Sequence, residues 1–372
     1  MEKQNITQGK ITQQALKKLS YPPFLAYNFK GLVFSYKSQK EKNSTALLKR
    51  LQKKYKQDNL IIVLNGLLIT KGINGVTINK KAQTEPKTKF DLINKTYENS
   101  NLSLVFTKSV SEPVTIVIAG TNDLYHYANY EVKSDVNIKI VEQFELLKSA
   151  KLNYKIDVNV QKNAHLELFY VEYLENKKAN VISHNMFTWE NGELNLNYVN
   201  LNSANVVHTT TGNLAGMYAK TSVNTLHFVN KNYNHANLMQ LIHLNKNTTS
   251  KINNFGLVNN NAELVIDGIN KIEKGFSKSE AEQESKIINL THTCKSTANP
   301  QLIINEYDVK AGHSAGVGQV DEDSLYYLMS RGLNKRDSLE LIIMSHANEL
   351  LEKLTDKKQL KNVLKIIKNK LV

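Results

Sequence analysis

The 372-residue sequence contains one cysteine, Cys294. A single thiol excludes an internal disulfide framework and any all-cysteine metal site built within one chain. A metal or cluster would need ligands from histidine, carboxylates or a partner. Arginine is nearly as scarce: Arg50, Arg331 and Arg336 are three of 48 basic residues. Its planar fork is the usual reader of phosphate and guanine. The formal charge of +14 is therefore read as a diffuse lysine surface and not as a nucleic-acid groove. No apolar run approaches the roughly 18 residues of a membrane helix. The best, 60–69, is broken by Asn65 and Gly66. Residues 1–10 are polar, with no apolar signal core. The expectation is a cytoplasmic protein with no membrane or nucleic-acid partner. The G-x-x-x-x-G-K-[ST], H-E-x-x-H and G-x-S-x-G signatures are also missing. The one Gly-Lys pair, Gly9-Lys10, is followed by Ile11. The chain is not expected to hydrolyse ATP by itself.

What is present falls into three zones. Residues 1–58 read as partly helical, interrupted by Pro22-Pro23. Within them, 43–56 has helical spacing and a basic outer face, which suits a surface helix or a membrane-binding one. From 59 to 310 the period is two. Leu152, Tyr154, Ile156, Val158 and Val160 alternate with Asn153, Lys155, Asp157, Asn159 and Gln161, placing one face inward and the other in water. Similar runs occupy 165–173, 193–201, 238–244 and 262–272. Short strands sustained for so long exceed an ordinary sandwich and fit a stack of coils, a β-helix, although no repeat of fixed length is visible. Asparagine-rich joints at 195–202 and 259–261 are expected to supply left-handed turns. Residues 80–89, with Pro86, read as a loop or linker.

Residues 311–372 read as a C-terminal helical domain, the helical pattern setting in beyond Gln319. Asp321 caps a first helix whose stripe of Leu325, Leu328 and Met329 should face the core, and which Gly332 ends. Asn334 caps a second, with Leu339, Ile342, Ile343, His346, Leu350 and Leu354 as its stripe. A basic third helix follows.

The stretch Gly312-His313-Ser314-Ala315-Gly316-Val317-Gly318 reads as a glycine-rich connector between the last strand and the first of these helices. Its glycines permit a tight turn or the close approach of another chain. His313 has two readings. Imidazole nitrogen suits iron and can replace cysteine in clusters; alternatively it is a turn histidine bonded to backbone. His227, His235 and His243 recur every eight residues, which would stack them if a coil advanced by that length, or leaves them structural. Cys294 is either a small buried residue or a ligand.

The C-terminal third resembles the signature of the SufB/SufD family. The resemblance is carried by Ala298-Asn299-Pro300-Gln301-Leu302, by Asp308 to Asp321 around His313, and by Leu325-Tyr326-Tyr327-Leu328-Met329-Ser330-Arg331-Gly332-Leu333. Ile272-Glu273-Lys274-Gly275 and Ala281 to Ser285 are similar to the preceding family segment. Val63-Leu64-Asn65-Gly66 and Gly75-Val76-Thr77-Ile78 resemble an early block. Ser314 directly after His313, where SufB-like chains carry glutamate, and the following Gly-Val-Gly make the stretch most like the SufD branch. Many SufD chains have a cysteine where this one has Ala311, so His313 is the one matched candidate ligand.

The resemblance implies a right-handed parallel β-helix between N-terminal and C-terminal helical segments. It implies a non-catalytic scaffold for iron–sulfur cluster assembly in the SUF system, handling a transient cluster at a partner interface. It implies pairing with a SufB-like subunit through the end of the β-helix, with a homodimer as another form, and docking of the C-terminal helices on a SufC-like ATPase. Gly312, Gly316, Gly318, Tyr326, Tyr327, Arg331 and Gly332 are the expected interface residues; both tyrosines could instead pack on the β-helix end. Two rivals make different demands. A β-helical carbohydrate-active enzyme needs carboxylates converging on one face, and acidic residues are sparse in the strand zone. A nucleic-acid-binding protein should show arginines and stacked aromatics.

Overall fold

The computed structural model describes residues 19–25, 44–55, 58–146, 150–174, 180–351 and 357–370. Helix α1 (Ser44–Lys54) precedes strands β1 (Leu60–Leu64), β2 (Leu67–Thr70) and β3 (Val76–Asn79), and helix α2 (Lys89–Tyr97). The first half of the long strand series is β4 (Ser100–Phe106), β5 (Val114–Gly120), β6 (Leu124–Val132), β7 (Asn137–Leu146), β8 (Leu152–Val160), β9 (His165–Glu172), β10 (Asn180–Thr188) and β11 (Glu193–Asn200). The second half is β12 (Val206–Leu214), β13 (Lys220–Val229), β14 (Asn234–His243), β15 (Thr249–Val258), β16 (Glu263–Ile272), β17 (Glu280–Asn289), β18 (Lys295–Ile304) and β19 (Lys310–Gln319). Helices α3 (Glu322–Ser330), α4 (Lys335–Leu351) and α5 (Lys357–Lys370) follow.

Alternation along each strand dictates the stacking. One face of β8, with Tyr154, Ile156 and Val158, is sealed in a continuous core with Leu166, Leu168, Ile182 and Leu196 of neighbouring coils. Each such side chain contributes about 1.5–3 kcal/mol when buried, but a single coil has nothing to bury it against, so the coils must stack. Odd strands from β5 onward form a ten-stranded sheet with β1 and β2, and even strands from β4 onward a nine-stranded sheet with β3. Every pairing is parallel except β1 with β2 and β3 with β4. The result is a two-sheet parallel β-solenoid of about seven turns, with helices at both ends.

From β4 onward the rung-to-rung advance varies from 26 residues (Ser100 to His126) to 32 (Asp267 to Asn299), which hides any fixed repeat from the sequence. One corner is regular. Asp135, Asn163, Asn191, Tyr218, Asn247 and Lys278 all have φ near +60°, and each donates its backbone N–H to a carbonyl of the next coil. The expected asparagine turn holds at Asn260, φ 61°. Asn195, Asn197 and Asn200 instead lie on β11. Asn197, Asn224 and Asn253 form an amide ladder on the outer face, with bonds of 3.0 and 2.8 Å.

The outer faces are less wet than alternation suggests. Leu47 and Leu51 of α1 pack on Ile62, Leu64 and Val117. Phe90 of α2 packs on Val181 and Val207, with Tyr21 and Phe24 beside it. Residues 80–88 have no regular structure but form a cover and not a linker: Thr84 donates to Asp157, and Gln83 donates to Asn94 and Glu98. Ile343, Ala347 and Leu351 of α4, with Val363 and Ile367 of α5, seal Phe169, Leu226, Phe228 and Leu257. The side chains of His346 and Leu350, and Leu354 as a whole, fall outside the described residues.

Candidate functional site

Each sheet ends at a strand with no further neighbour among the described residues, β18 in one and β19 in the other. The glycine-rich stretch read as a connector is β19 itself, paired with β17 over ten register positions from Lys310 opposite Glu280 to Gln319 opposite Asn289. Glycine is depleted in strands because it adds backbone entropy and packs nothing, and that bias misleads the sequence reading. Ala311, His313, Ala315 and Val317 continue the inward column of Ala281, Gln283, Ser285 and Ile287. His313 is therefore not a turn histidine. It sits on the last rung, on the bore side, and is exposed.

Gly312, Gly316 and Gly318 lie on the opposite face of β19. A Cβ at any of them would meet no atom within 4 Å, and none has positive φ. Packing among the described residues does not require glycine there. All ten residues of β19 are exposed. A long, flat, uncovered edge of this kind is a template for another strand.

Beside it, a groove of about 680 Å³ runs between β17–β19 and the helices, lined by Lys286, Ile288, Gly316, Gly318, Ser324 and Ile342. Helix α3 forms its outer wall and has no buried residue. The expected core stripe is corrected here: Leu325 and Leu328 are only half-buried, and Met329 is exposed. The reason is that α4 and α5 already cover the sheet. Tyr326 is 76% exposed and Tyr327 56%, so neither packs on the solenoid end. The Arg331 guanidinium lies 5.1 Å from the Tyr327 ring centroid. Gly332, φ 94°, ends the helix as expected.

Behind the open end the bore carries a polar spine that alternation did not reveal. Glu142 accepts from Tyr130 and from Tyr154, the latter at 2.8 Å, and Tyr154 lies 3.1 Å from the Tyr170 hydroxyl. His184 Nδ1 is 2.8 Å from His208 Nε2, and His208 Nδ1 is 2.7 Å from Asn237 Oδ1. Asn237 donates to Thr225, Thr225 to Asn254, and Asn254 to Ser285 on β17. Burial raises Glu142 to about 8 and Glu172 to about 7. It lowers His126, His208 and His235 to about 3, and His184 and His227 well below the ordinary range.

The eight-residue histidine series does not stack along the coils. His227 and His235 face each other within one coil, ring centroids 6.1 Å apart, and His243 bonds Thr248 and Ser250. Cys294 is half-buried, its thiol 3.1 Å from the Val258 carbonyl oxygen. Among the described residues no group of three histidine, cysteine or carboxylate side chains could hold a metal ion. Among the described residues, no helix is long and apolar enough to cross a membrane.

Comparison with known proteins adds to this geometry. The family model described as SUF system FeS cluster assembly, SufBD core domain, matches residues 119–346. The iron–sulfur cluster assembly protein SufD of Bacillus subtilis (strain 168) is 40% identical over 131 residues, 35% of this chain and 30% of that protein. The protein of the same name from Escherichia coli (strain K12) is 26% identical over 248 residues, 65% of this chain and 58% of its own. An iron–sulfur cluster assembly SufBD family protein of Staphylococcus aureus (strain USA300) is 25% identical over 199 residues, 54% and 43% of the two chains. The chain thus spans less than two thirds of the length of these relatives.

Proposed function

The chain belongs to the SufBD core family of the SUF iron–sulfur cluster assembly system, and on that premise we propose that it is a non-catalytic, SufD-like scaffold on whose open end a cluster is built as cargo. The observation that carries this reading is the β19 edge: ten exposed residues whose glycine face nothing among the described residues requires. A SufB-like partner would add its own terminal strand to β19 and close on the glycines. His313 would then stand at the junction and supply one nitrogen ligand to the nascent cluster, the others coming from the partner. A SufC-like ATPase would dock on α3, where Tyr326, Tyr327 and Arg331 present the residue types that dominate interface energetics.

Two measurements check the reading. Replacing His313 with alanine removes an exposed side chain that lies outside the core, so the fold and subunit recovery should hold, with a loss of no more than about 1–3 kcal/mol of stability. Iron and sulfide in the co-purified complex should fall well below wild type. Unchanged content at equal recovery would leave the cluster to the partner alone. For α3, the triple change Tyr326→Ala, Tyr327→Ala, Arg331→Ala should weaken ATPase binding by about 2 kcal/mol or more, some thirtyfold. The thermal midpoint should not move, because none of the three is buried. Retained affinity would place the ATPase elsewhere.

A further inference from the structure

Two histidines in this bore make their shortest hydrogen bond to a register partner on the adjacent rung. His126 Nδ1 lies 2.6 Å from Ser100 Oγ, and the two are register partners. His208 Nδ1 lies 2.7 Å from the amide oxygen of its partner Asn237. At the open end the register pairing recurs without the hydrogen bond: His313 is the register partner of Gln283.

Gln283 is anomalous for its position. Its inward column runs Val114, Ile140, Leu168, Leu196, Val223, Ile252, all apolar, before turning to Gln283 and His313 on the last two rungs. Gln283 is 5% exposed. Its Nε2 donates to the Gln301 carbonyl at 3.1 Å, while its Oε1 is buried and accepts no hydrogen bond. Leaving such an oxygen without a donor costs about 1–3 kcal/mol. Gly268 makes room for it, since a Cβ there would stand 2.7 Å from Oε1.

We propose that Gln283 is a positioning residue for His313: its Oε1 accepts one ring N–H of His313, which fixes the tautomer and leaves the other nitrogen, with its lone pair, facing out of the open end. This rests on reading His313 as a cluster ligand, but the orientation itself is a property of the chain alone. Fixing the second nitrogen of a ligating histidine by an outer acceptor is a general device for metal sites.

The experiment is nitrogen-15 NMR of the full-length protein labelled at histidine, above the histidine titration range, with the His313 signals identified by their loss in His313→Ala. Wild type and Gln283→Glu, which keeps an acceptor, should favour one tautomer by about fivefold over the ratio of free imidazole. Gln283→Met, of equal length but without the acceptor, should return to the free ratio. Gly268→Ala, which crowds Oε1 from the other side, should do the same and serves if Gln283→Met does not fold. An identical ratio in wild type and in these variants overturns the proposal. In the assembled complex, Gln283→Met should reduce iron and sulfide retention about tenfold, with Gln283→Glu close to wild type. A tautomer shift in Gln283→Met together with unchanged cluster content in His313→Ala would keep the orientation and remove only the ligand reading.

Discussion

Stability should collapse on mild acidification, by about 5 kcal/mol per pH unit between roughly pH 6.5 and 4.5. The spine dictates the sign. Six of the ten histidines are buried and held neutral by loss of solvation: His126, His208 and His235 at about 3, His243 at about 4, and His184 and His227 well below the ordinary value. Lys370, close to His235, adds to its depression. In the unfolded chain all six bind protons below about pH 6.5. Their contribution is complete above that value and lost as pH falls toward the folded values. Glu142 and Glu172 act oppositely. Burial raises them to about 8 and 7, so their contribution is complete below the unfolded carboxylate range and lost as pH rises through those values. In the window between, unfolding takes up six protons and releases two, a net of about four at 1.36 kcal/mol each per pH unit. Total stability is usually about 5–15 kcal/mol, so two pH units should suffice to unfold the protein. Urea midpoints from pH 4.5 to 8 should peak near 6.5 and decline more gently on the alkaline side. A flat profile between pH 5 and 6.5 would mean that these histidines are solvated.

Gly216→Ala should be among the most damaging single substitutions. A Cβ there would lie 1.8 Å from the Glu190 backbone nitrogen and 2.2 Å from the Trp189 carbonyl carbon. Both belong to the turn of the preceding coil, so no side chain can swing aside, and the two coils must separate. Overpacking of this kind costs about 3 kcal/mol or more, with a matching drop in thermal midpoint and soluble yield. Gly312→Ala is the counterpart. With nothing within 4 Å, it should leave stability within about 0.5 kcal/mol of wild type. It should nevertheless weaken co-purification with a partner whose backbone closes on β19. The reverse pattern, a tolerant Gly216 and an unstable Gly312→Ala, would contradict the packing described.

The strand zone was legible because alternation marks which side chains face the bore, as in Leu152 to Val160, although the outward Asn153, Lys155 and Asp157 are buried too, under covering segments and not in water. The number of coils was not, because the corners absorb insertions. The open end was legible only by family resemblance, since its glycines argue locally against a strand. The spine was hidden for a different reason. Alternation equates polar with outward, yet Glu142 faces inward between Ile140 and Phe144 on β7, and only the tyrosines of neighbouring coils make that tolerable. Gln283 was missed on the same ground: read along β17 it is one polar residue among Glu280, Glu282 and Glu284. Only its register with His313 gives it a role.

The two ends of the stack also differ in valence. At the start, each sheet finishes in a four-residue strand running against its neighbour, β2 or β3. Such short reversed edges offer little to a newcomer. At the other end β18 and β19 each present ten residues of parallel edge, β19 exposed throughout and β18 mostly half-buried. A stack with two such ends would polymerise head to tail, because a heterologous contact that does not close grows without limit. With one, association through the edge is consumed by the first partner. The particle should stop at two stacks, and sedimentation at rising concentration should show a pair and no ladder of larger species.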